Sequence, residues 1–196
     1  AVFHIAETTS TMVTARELAH KAPYGVVYAD RQSAGRGRLP GRSWNCAPGE
    51  GLLATFWFPA NFFKDCPPAL VTGAIVLEAL QQLIPPALTA ALPITIKWPN
   101  DILAEGKKLA GILCENTGTT IFAGIGINLA QREFPGQYRT LPTSLLLSYN
   151  ILVTQEIMLH ALMHQFAEFP KHPESWFNAV NSKCAYKNEH ILFKRG

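Results

Sequence analysis

The chain has 196 residues, of which 48% are hydrophobic and 16% are charged, and its formal net charge is +3. This length fits one domain with a substantial core. The mild positive charge argues against a protein that binds nucleic acid over a broad basic face. The apolar stretch from Ala69 to Leu80 is interrupted by Thr72, Gly73 and Glu78, so no membrane span is expected.

The cysteines are few and widely separated, and no two of them form a Cys-x-x-Cys pair. The chain has four, at Cys46, Cys66, Cys114 and Cys184. This spacing favours free thiols over a zinc module or a disulfide framework. Free thiols suit a reducing compartment, so a cytoplasmic location is expected.

The first third of the chain predicts two short strands, Val2 to Ala6 and Tyr24 to Ala29. Between them, the apolar residues of Thr9 to His20 recur at helical spacing. Ser10 is a plausible N-terminal cap of this helix, because serine hydroxyls there accept hydrogen bonds from free backbone amides. A substrate role for Ser10 and Thr11 competes with this interpretation, and both stay open.

After an arginine-rich loop, patterning predicts a buried strand, a helix, three more strands and a last helix capped by Thr154. The predicted ranges are Gly51 to Phe58, Ala69 to Leu83, Ile94 to Trp98, Ala110 to Glu115, Thr120 to Leu129 and Thr154 to Phe169, with a hairpin turn at Glu105-Gly106-Lys107. Inward candidates on the last helix are Ile157, Leu162 and Phe166. These elements predict an α+β fold, with a mixed, mostly antiparallel sheet and helices packed on one face.

The loop from Ser33 to Trp44 interleaves three glycines with three arginines. Glycine permits sharp turns and close backbone approach, while arginine supplies fixed forks that match carboxylate and phosphate oxygens. A site for an acyl phosphate or a similar small anion is the favoured interpretation.

The segment from Ile96 to Asp101 predicts a strand that delivers Lys97 and ends at a proline. A lysine in an apolar strand needs an opposite charge. An anionic ligand could provide it, or a structural ion pair with Asp101 or Glu115. Asp101 itself could equally serve a turn at the end of the strand.

Five blocks together resemble the biotin protein ligase family. They are Ser10-Thr11-Met12, the Gly-Arg-Gly-Arg loop with Gly41-Arg42-Ser43-Trp44, Lys97-Trp98-Pro99-Asn100-Asp101, Lys108 to Leu113 and Gly124 to Leu129. The blocks occur in the order of the family. The similarity runs from about Glu7 to Asn128.

The resemblance implies the biotin and lipoate ligase fold and an ATP-dependent ligase. Such an enzyme converts biotin to biotinyl-5′-AMP and transfers it to a lysine of a biotin carboxyl carrier protein, such as that of acetyl-CoA carboxylase. ATP and Mg²⁺ are the implied cofactors, and a homodimer is possible. The alternatives are a lipoate or octanoate ligase or transferase, a non-catalytic biotin-binding protein and, more remotely, a nucleic-acid-binding module.

The resemblance also implies site residues, by position in the motifs. The expected catalytic residues are Arg38, Lys97, Asp101 and Lys108. Substrate binding is expected from Ser10, Thr11, Gln32, Gly35, Arg36, Gly37, Arg38, Lys97, Gly111 and Ile112. Nucleotide binding is expected from Arg36, Arg38, Arg42, Trp44, Lys97, Asn100 and Asn128. The metal ligands are unknown.

Two departures from the family pattern bear on the site. Met12 stands where the family has asparagine, and Leu39-Pro40 lengthens the arginine loop, so retention of the adenylate could change. A catalytic domain over 1–182 and the start of a small β-rich domain over 183–196 are expected. Few residues precede the first predicted strand, so no DNA binding is expected.

Overall fold

The computed structural model describes residues 1–39, 41, 43–44, 46–64 and 66–187. The described residues contain one seven-stranded mixed sheet. Its strands are β1 (Val2–Thr8), β2 (Gly25–Gln32), β3 (Gly51–Pro59), β4 (Ile94–Lys97), β5 (Asp101–Ala104), β6 (Lys107–Asn116) and β7 (Thr120–Asn128). Their spatial order is β1-β2-β3-β7-β6-β5-β4. Only the β1 and β2 pair is parallel, which confirms the predicted mixed, mostly antiparallel sheet.

Six α-helices connect or cover these strands in the described ranges. They are α1 (Thr11–Leu18), α2 (Pro68–Leu83), α3 (Pro86–Ala91), α4 (Leu145–Tyr149), α5 (Gln155–Glu168) and α6 (Ser175–Lys183), with short 3-10 turns at Ala19–Lys21, Ala60–Phe63 and Phe169–Lys171. None of the described helices is long and apolar enough to cross a bilayer.

The sheet buries both of its faces, but unequally. The larger core lies between one face and helices α2 and α5, and it contains Leu52, Ala54 and Phe56 of β3. The alternate β3 residue Trp57 lies on the opposite face with Met12 and Ala15 of α1. Most helical packing is therefore on one face, as predicted, while α1 covers part of the other face.

Local signals set the ends of several elements. The Ser10 side chain accepts a hydrogen bond from the amide of Met12 at 3.3 Å, and the Thr154 side chain accepts one from Ile157 at 3.3 Å, so both predicted caps are confirmed. Glu105 and Gly106 have φ values of 50° and 74° and form the two-residue turn between β5 and β6. Both residues having positive φ is the pattern of a type I′ hairpin turn.

Other features depended on tertiary contacts. The sequence did not predict β5, α3, α4 or α6. Strand β6 begins at Lys107 rather than Ala110 because its first residues pair with β5. Ile157 was predicted to face inward, but it is 49% exposed. The buried side of α5 instead carries Met158, Leu162 and Phe166, so that prediction was wrong for Ile157 alone.

The chain after α6 returns to the sheet beside β4. Cys184 forms a parallel bridge with Ile96, and the Ala185 amide donates to the Ile96 carbonyl at 2.8 Å. This pairing covers the outer edge of β4 next to Lys97. The predicted domain boundary at 182 and 183 stays a prediction, and 188–196 lie outside the described residues.

Candidate active site

An open cleft lies on the face of the sheet that carries α1. We call it the glycine cleft, because Gly111, Gly124 and Gly126 of β6 and β7 line it. The strand register places Lys97, Asp101, Gly111, Gly126 and Leu53 in one row across five strands. Residues paired in this way project to the same face, so the row runs from the cleft to Lys97.

The glycines clear space for Trp44, which the loop lays across the sheet. A Cβ atom at Gly126 would lie 2.4 Å from Cε2 of Trp44, and one at Gly111 would lie 2.8 Å from Cζ3 of the same indole. The Trp44 Nε1 atom is buried without a hydrogen-bond partner. An unsatisfied buried donor is costly, so this nitrogen is suited to a polar acceptor on a ligand.

A hydroxyl and amide network lines the cleft beside the start of α1. The Thr11 amide and hydroxyl donate to Oε1 of Gln32 at 2.7 and 3.0 Å. The Thr11 hydroxyl also lies 2.9 Å from that of Thr55. Ser10 and Met12 complete this part of the lining. Ser10 is therefore both a helix cap and a cleft residue, and its two interpretations do not exclude each other.

The described part of the arginine loop contributes two cations to the cleft. Arg36 and Arg38 both line the cleft, with Gly37 between them. Arg36 forms an antiparallel bridge with Ser43, and Gly35 accepts the Trp44 amide at 3.0 Å. A Cβ at Gly35 would lie 2.3 Å from the Trp44 carbonyl oxygen, so this glycine permits the two sides of the loop to meet. Arg42 lies outside the described residues.

Asn100 ties this loop to the sheet. Its side-chain oxygen accepts from Nε of Arg38 at 3.2 Å, and its Nδ2 donates to the Ile112 carbonyl at 3.1 Å. The Ile112 amide returns a bond to the Asn100 carbonyl at 2.8 Å. Ile112 lines the cleft, but its Cδ1 lies near Gly73 of α2, so its side chain belongs to the core on the other face.

The described residues do not contain the ion pair of Lys97 with Asp101 or Glu115 that was the alternative to an anionic ligand. Lys108 binds Asp101 at 2.8 Å and lies 5.4 Å from the Trp44 ring centre. Lys97 donates instead to the Thr140 hydroxyl at 2.7 Å. The Tyr186 ring lies 6.0 Å from the Lys97 amine. Lys108 lines the cleft, whereas Lys97 and Asp101 lie further along the same row.

Asn128 does not line the cleft. It is buried, and its Nδ2 donates to the Thr143 carbonyl at 2.8 Å and to the Lys108 carbonyl at 3.5 Å. These bonds fix the segment after β7 against the start of β6. Asn128 therefore lies behind Lys108, which itself lines the cleft. The nucleotide contact expected of Asn128 stays a prediction.

The sequence analysis missed a charge pair in the cleft. Arg16 of α1 forms an ion pair with Glu115 of β6, and both residues line the cleft. Arg16 is one turn beyond Met12, so helical spacing from the Ser-Thr-Met block could have found it. The alternating Gly124 and Gly126 were a second available signal, since glycine inside a strand often marks close approach of another group.

Thiol chemistry and a preformed metal centre are not supported here. All four cysteines are free, as predicted, and burial raises the pKa values of Cys46 and Cys114 to about 12. These two groups are thiols rather than nucleophilic thiolates near neutral pH. Among the described residues, no group of three or more histidine, cysteine, aspartate or glutamate side chains is placed to hold a metal.

Comparison with known proteins adds to this geometry. Residues 2–131 match the model of the Biotin/lipoate A/B protein ligase family. The chain is 38% identical over 146 residues to the Bifunctional ligase/repressor BirA of Bacillus spizizenii, covering 70% of this chain and 43% of that protein. It thus spans less than half of that relative's length.

Two further matches cover almost the whole chain. A Biotin--[acetyl-CoA-carboxylase] ligase of Paracoccus denitrificans is 30% identical over 98% of this chain and 84% of its own length. The structure of a biotin protein ligase from Leishmania major in complex with biotinyl-5-AMP superposes with a TM-score of 0.82 at 26% identity. That alignment covers 99% of this chain and 84% of the other.

Proposed function

This chain belongs to the biotin/lipoate A/B protein ligase family, and from that membership and the cleft geometry we propose that it is an ATP-dependent biotin protein ligase. The observation that carries the proposal is the meeting of Arg36, Arg38 and Lys108 at one cleft, over a floor that glycines hold open. Activating a carboxylate with ATP brings several negative groups together. Fixed cations in a cleft stabilise such an arrangement.

In the first step, a biotin carboxylate oxygen forms a bond to the α-phosphorus of ATP. The bond from that phosphorus to the bridging oxygen breaks, and pyrophosphate leaves. Arg38 is held by Asn100, so its guanidinium is oriented before the phosphates arrive. We assign Arg36 and Arg38 to the phosphate oxygens, because a planar fork matches two oxygens at once.

The hydroxyl and amide network of Ser10, Thr11, Gln32 and Thr55 is proposed to bind the polar ring of biotin. The network offers both hydrogen-bond donors and acceptors beside an apolar surface that includes Met12 and Leu53. Trp44 supplies a flat wall above Gly111 and Gly126. This combination favours a compact bicyclic ligand over a flexible linear acyl chain, because few polar groups and rigid apolar walls fix orientation.

In the second step, a neutral lysine amine of the acceptor attacks the carbonyl carbon of the mixed anhydride. The bond to the AMP oxygen breaks, and the amine loses a proton. We assign this proton to Asp101, which is free to accept it when Lys108 moves from that carboxylate to the phosphate. The proposed acceptor is a biotin carboxyl carrier protein.

We propose that magnesium enters the site bound to the phosphates of the nucleotide substrate. The acids nearest the cations, Asp101 and Glu115, are paired with Lys108 and Arg16, so the described residues do not fit a resident cation site. Mg²⁺ commonly binds through substrate phosphates and only one or two carboxylates.

We also propose a cytoplasmic location and a homodimer. Free cysteines and use of ATP support the cytoplasm. The edge position of β1 supports pairing of two copies through their sheets. That the chain does not bind DNA stays a prediction.

Biotin-dependent exchange of labelled pyrophosphate into ATP, without any acceptor protein, tests the first step. We expect exchange with biotin and none with lipoate or octanoate. Exchange with lipoate or octanoate but not with biotin would indicate the alternative acyl ligase. Tight biotin binding with no exchange would indicate a non-catalytic binder.

Replacing Lys97 by alanine should lower the exchange rate by about 100-fold, the usual scale for losing one preorganised charge at a reacting centre. Among the described residues, its amine contacts the neutral Thr140 hydroxyl and the Tyr186 ring and makes no ion pair. The amine is therefore available to pair with an incoming anion. The exposed Lys107→Ala variant is the matched control. Equal exchange in the two variants would remove Lys97 from the reaction.

A further inference from the structure

A second cleft, of about 270 Å³, lies on the opposite side of the sheet from the glycine cleft. We call it the helical cleft, because α2, α5, α6 and the turn between the last two form it. Its lining includes Glu78, Gln165, Glu168, Phe169, His172 and Trp176, and none of its lining residues also lines the glycine cleft.

Gln165 is the first polar group that this cleft offers to a ligand. The residue is 9% exposed, and its amide makes no hydrogen bond to any described residue. Its amide atoms are not among the buried polar atoms that lack a partner, so they are open to the cleft. The Gln165 amide lies on the cleft wall, where a bound polar group can pair with it.

Glu78 is the second polar group, and it sets the charge of the ligand. This carboxylate is half-buried on α2 and has no ion pair or hydrogen bond among the described residues. Burial raises its pKa. The other acid, Glu168, is already bound by Lys171 at 2.7 Å. Glu78 is thus the acid in the cleft that lacks a positive partner.

Aromatic side chains complete the cleft. Phe169 and Trp176 line it beside the polar groups. The faces of aromatic rings attract cations and also cover apolar carbon. A carboxylate, a free amide and two aromatic rings are therefore combined in one depression.

We propose that the helical cleft binds a small organic cation, an ammonium group on a short apolar body. The ammonium would contact the Glu78 carboxylate and the Gln165 carbonyl oxygen. The apolar body would lie against Phe169 and Trp176. This site is separate from the proposed ligase chemistry and does not depend on it.

The test is calorimetric titration of the full chain at neutral pH with 2-phenylethylamine as the probe. Its neutral isostere 2-phenylethanol and the anion 3-phenylpropanoate are titrated in parallel. We expect the amine to bind with a Kd of about 0.1–1 mM, as suits a ligand of this size. The alcohol should bind at least about tenfold more weakly, because it offers Glu78 no charge. Saturating biotin should leave amine binding unchanged.

The Glu78→Gln variant should remove the preference for the amine over the alcohol while remaining folded, since it deletes a half-buried charge that has no partner. The matched control is Glu174→Gln, which alters an exposed acid just before α6 outside the cleft lining. Equal binding of amine and alcohol, no saturable binding of the amine, or an unchanged preference in Glu78→Gln would each overturn the proposal. Pyrophosphate exchange is not a readout, so failure of the ligase assignment would not affect this result.

Discussion

Replacing Arg38 by alanine is expected to reduce biotin-dependent pyrophosphate exchange by at least about 100-fold, or about 2.7 kcal/mol in transition-state stabilisation. Arg38 lines the glycine cleft, and Asn100 holds its Nε atom at 3.2 Å. The guanidinium therefore needs little rearrangement to meet phosphate oxygens. The measurement is the initial exchange rate at saturating biotin and ATP.

One further variant separates charge from shape at this position, and a variant elsewhere serves as its control. Arg38→Lys keeps the positive charge but loses the fork, so an intermediate rate is expected. Arg31→Ala is the matched control, because Arg31 is exposed outside the cleft and pairs with Glu7. Wild-type exchange in Arg38→Ala would contradict the assignment of this arginine to the phosphates.

Replacing Gly126 by alanine is expected to weaken biotin binding by at least about tenfold while the sheet stays folded. The new Cβ would lie 2.4 Å from the Trp44 ring, which is far inside van der Waals contact. Gly126 is paired within β7 and is not among the described residues with positive φ. The backbone can therefore accept alanine, and the indole must move. Titration calorimetry with biotin measures the effect.

Gly73→Ala is the matched control for that substitution. A Cβ at Gly73 would meet only Ile112 Cδ1 and Ile96 Cγ2, each at an ordinary 3.7 Å. Because Gly73 lies inside α2, alanine should stabilise the fold by about 0.5–1 kcal/mol. Biotin affinity should not change. Wild-type affinity in Gly126→Ala would mean that the position of Trp44 does not shape the binding site.

The features that could be predicted from the sequence are those that neighbouring residues determine. The caps at Ser10 and Thr154 and the hairpin turn at Glu105 and Gly106 depend on local hydrogen bonds and on backbone conformation. The resemblance to the ligase family, by contrast, implied that Arg36, Arg38 and Lys108 share one site, and all three line one cleft.

The remaining features depend on contacts between distant residues. Lys97 meets Thr140, which is 43 positions away, and no local pattern links the two. The exposure of Ile157 depends on which side of α5 meets the sheet, because apolar spacing alone left several faces possible. The place of α1 on the opposite face depends in the same way on the Trp57 and Val27 side chains that it covers.

Glycine and isoleucine alternate along β7, so the same strand pairing is needed for the core and for the cleft. Gly124 and Gly126 open the cleft, while Ile125 and Ile127 fill the core on the other face. A shift of one residue in the pairing of β7 would put the isoleucines in the cleft and the glycines in the core. Such a sheet would lose its packing together with its cleft.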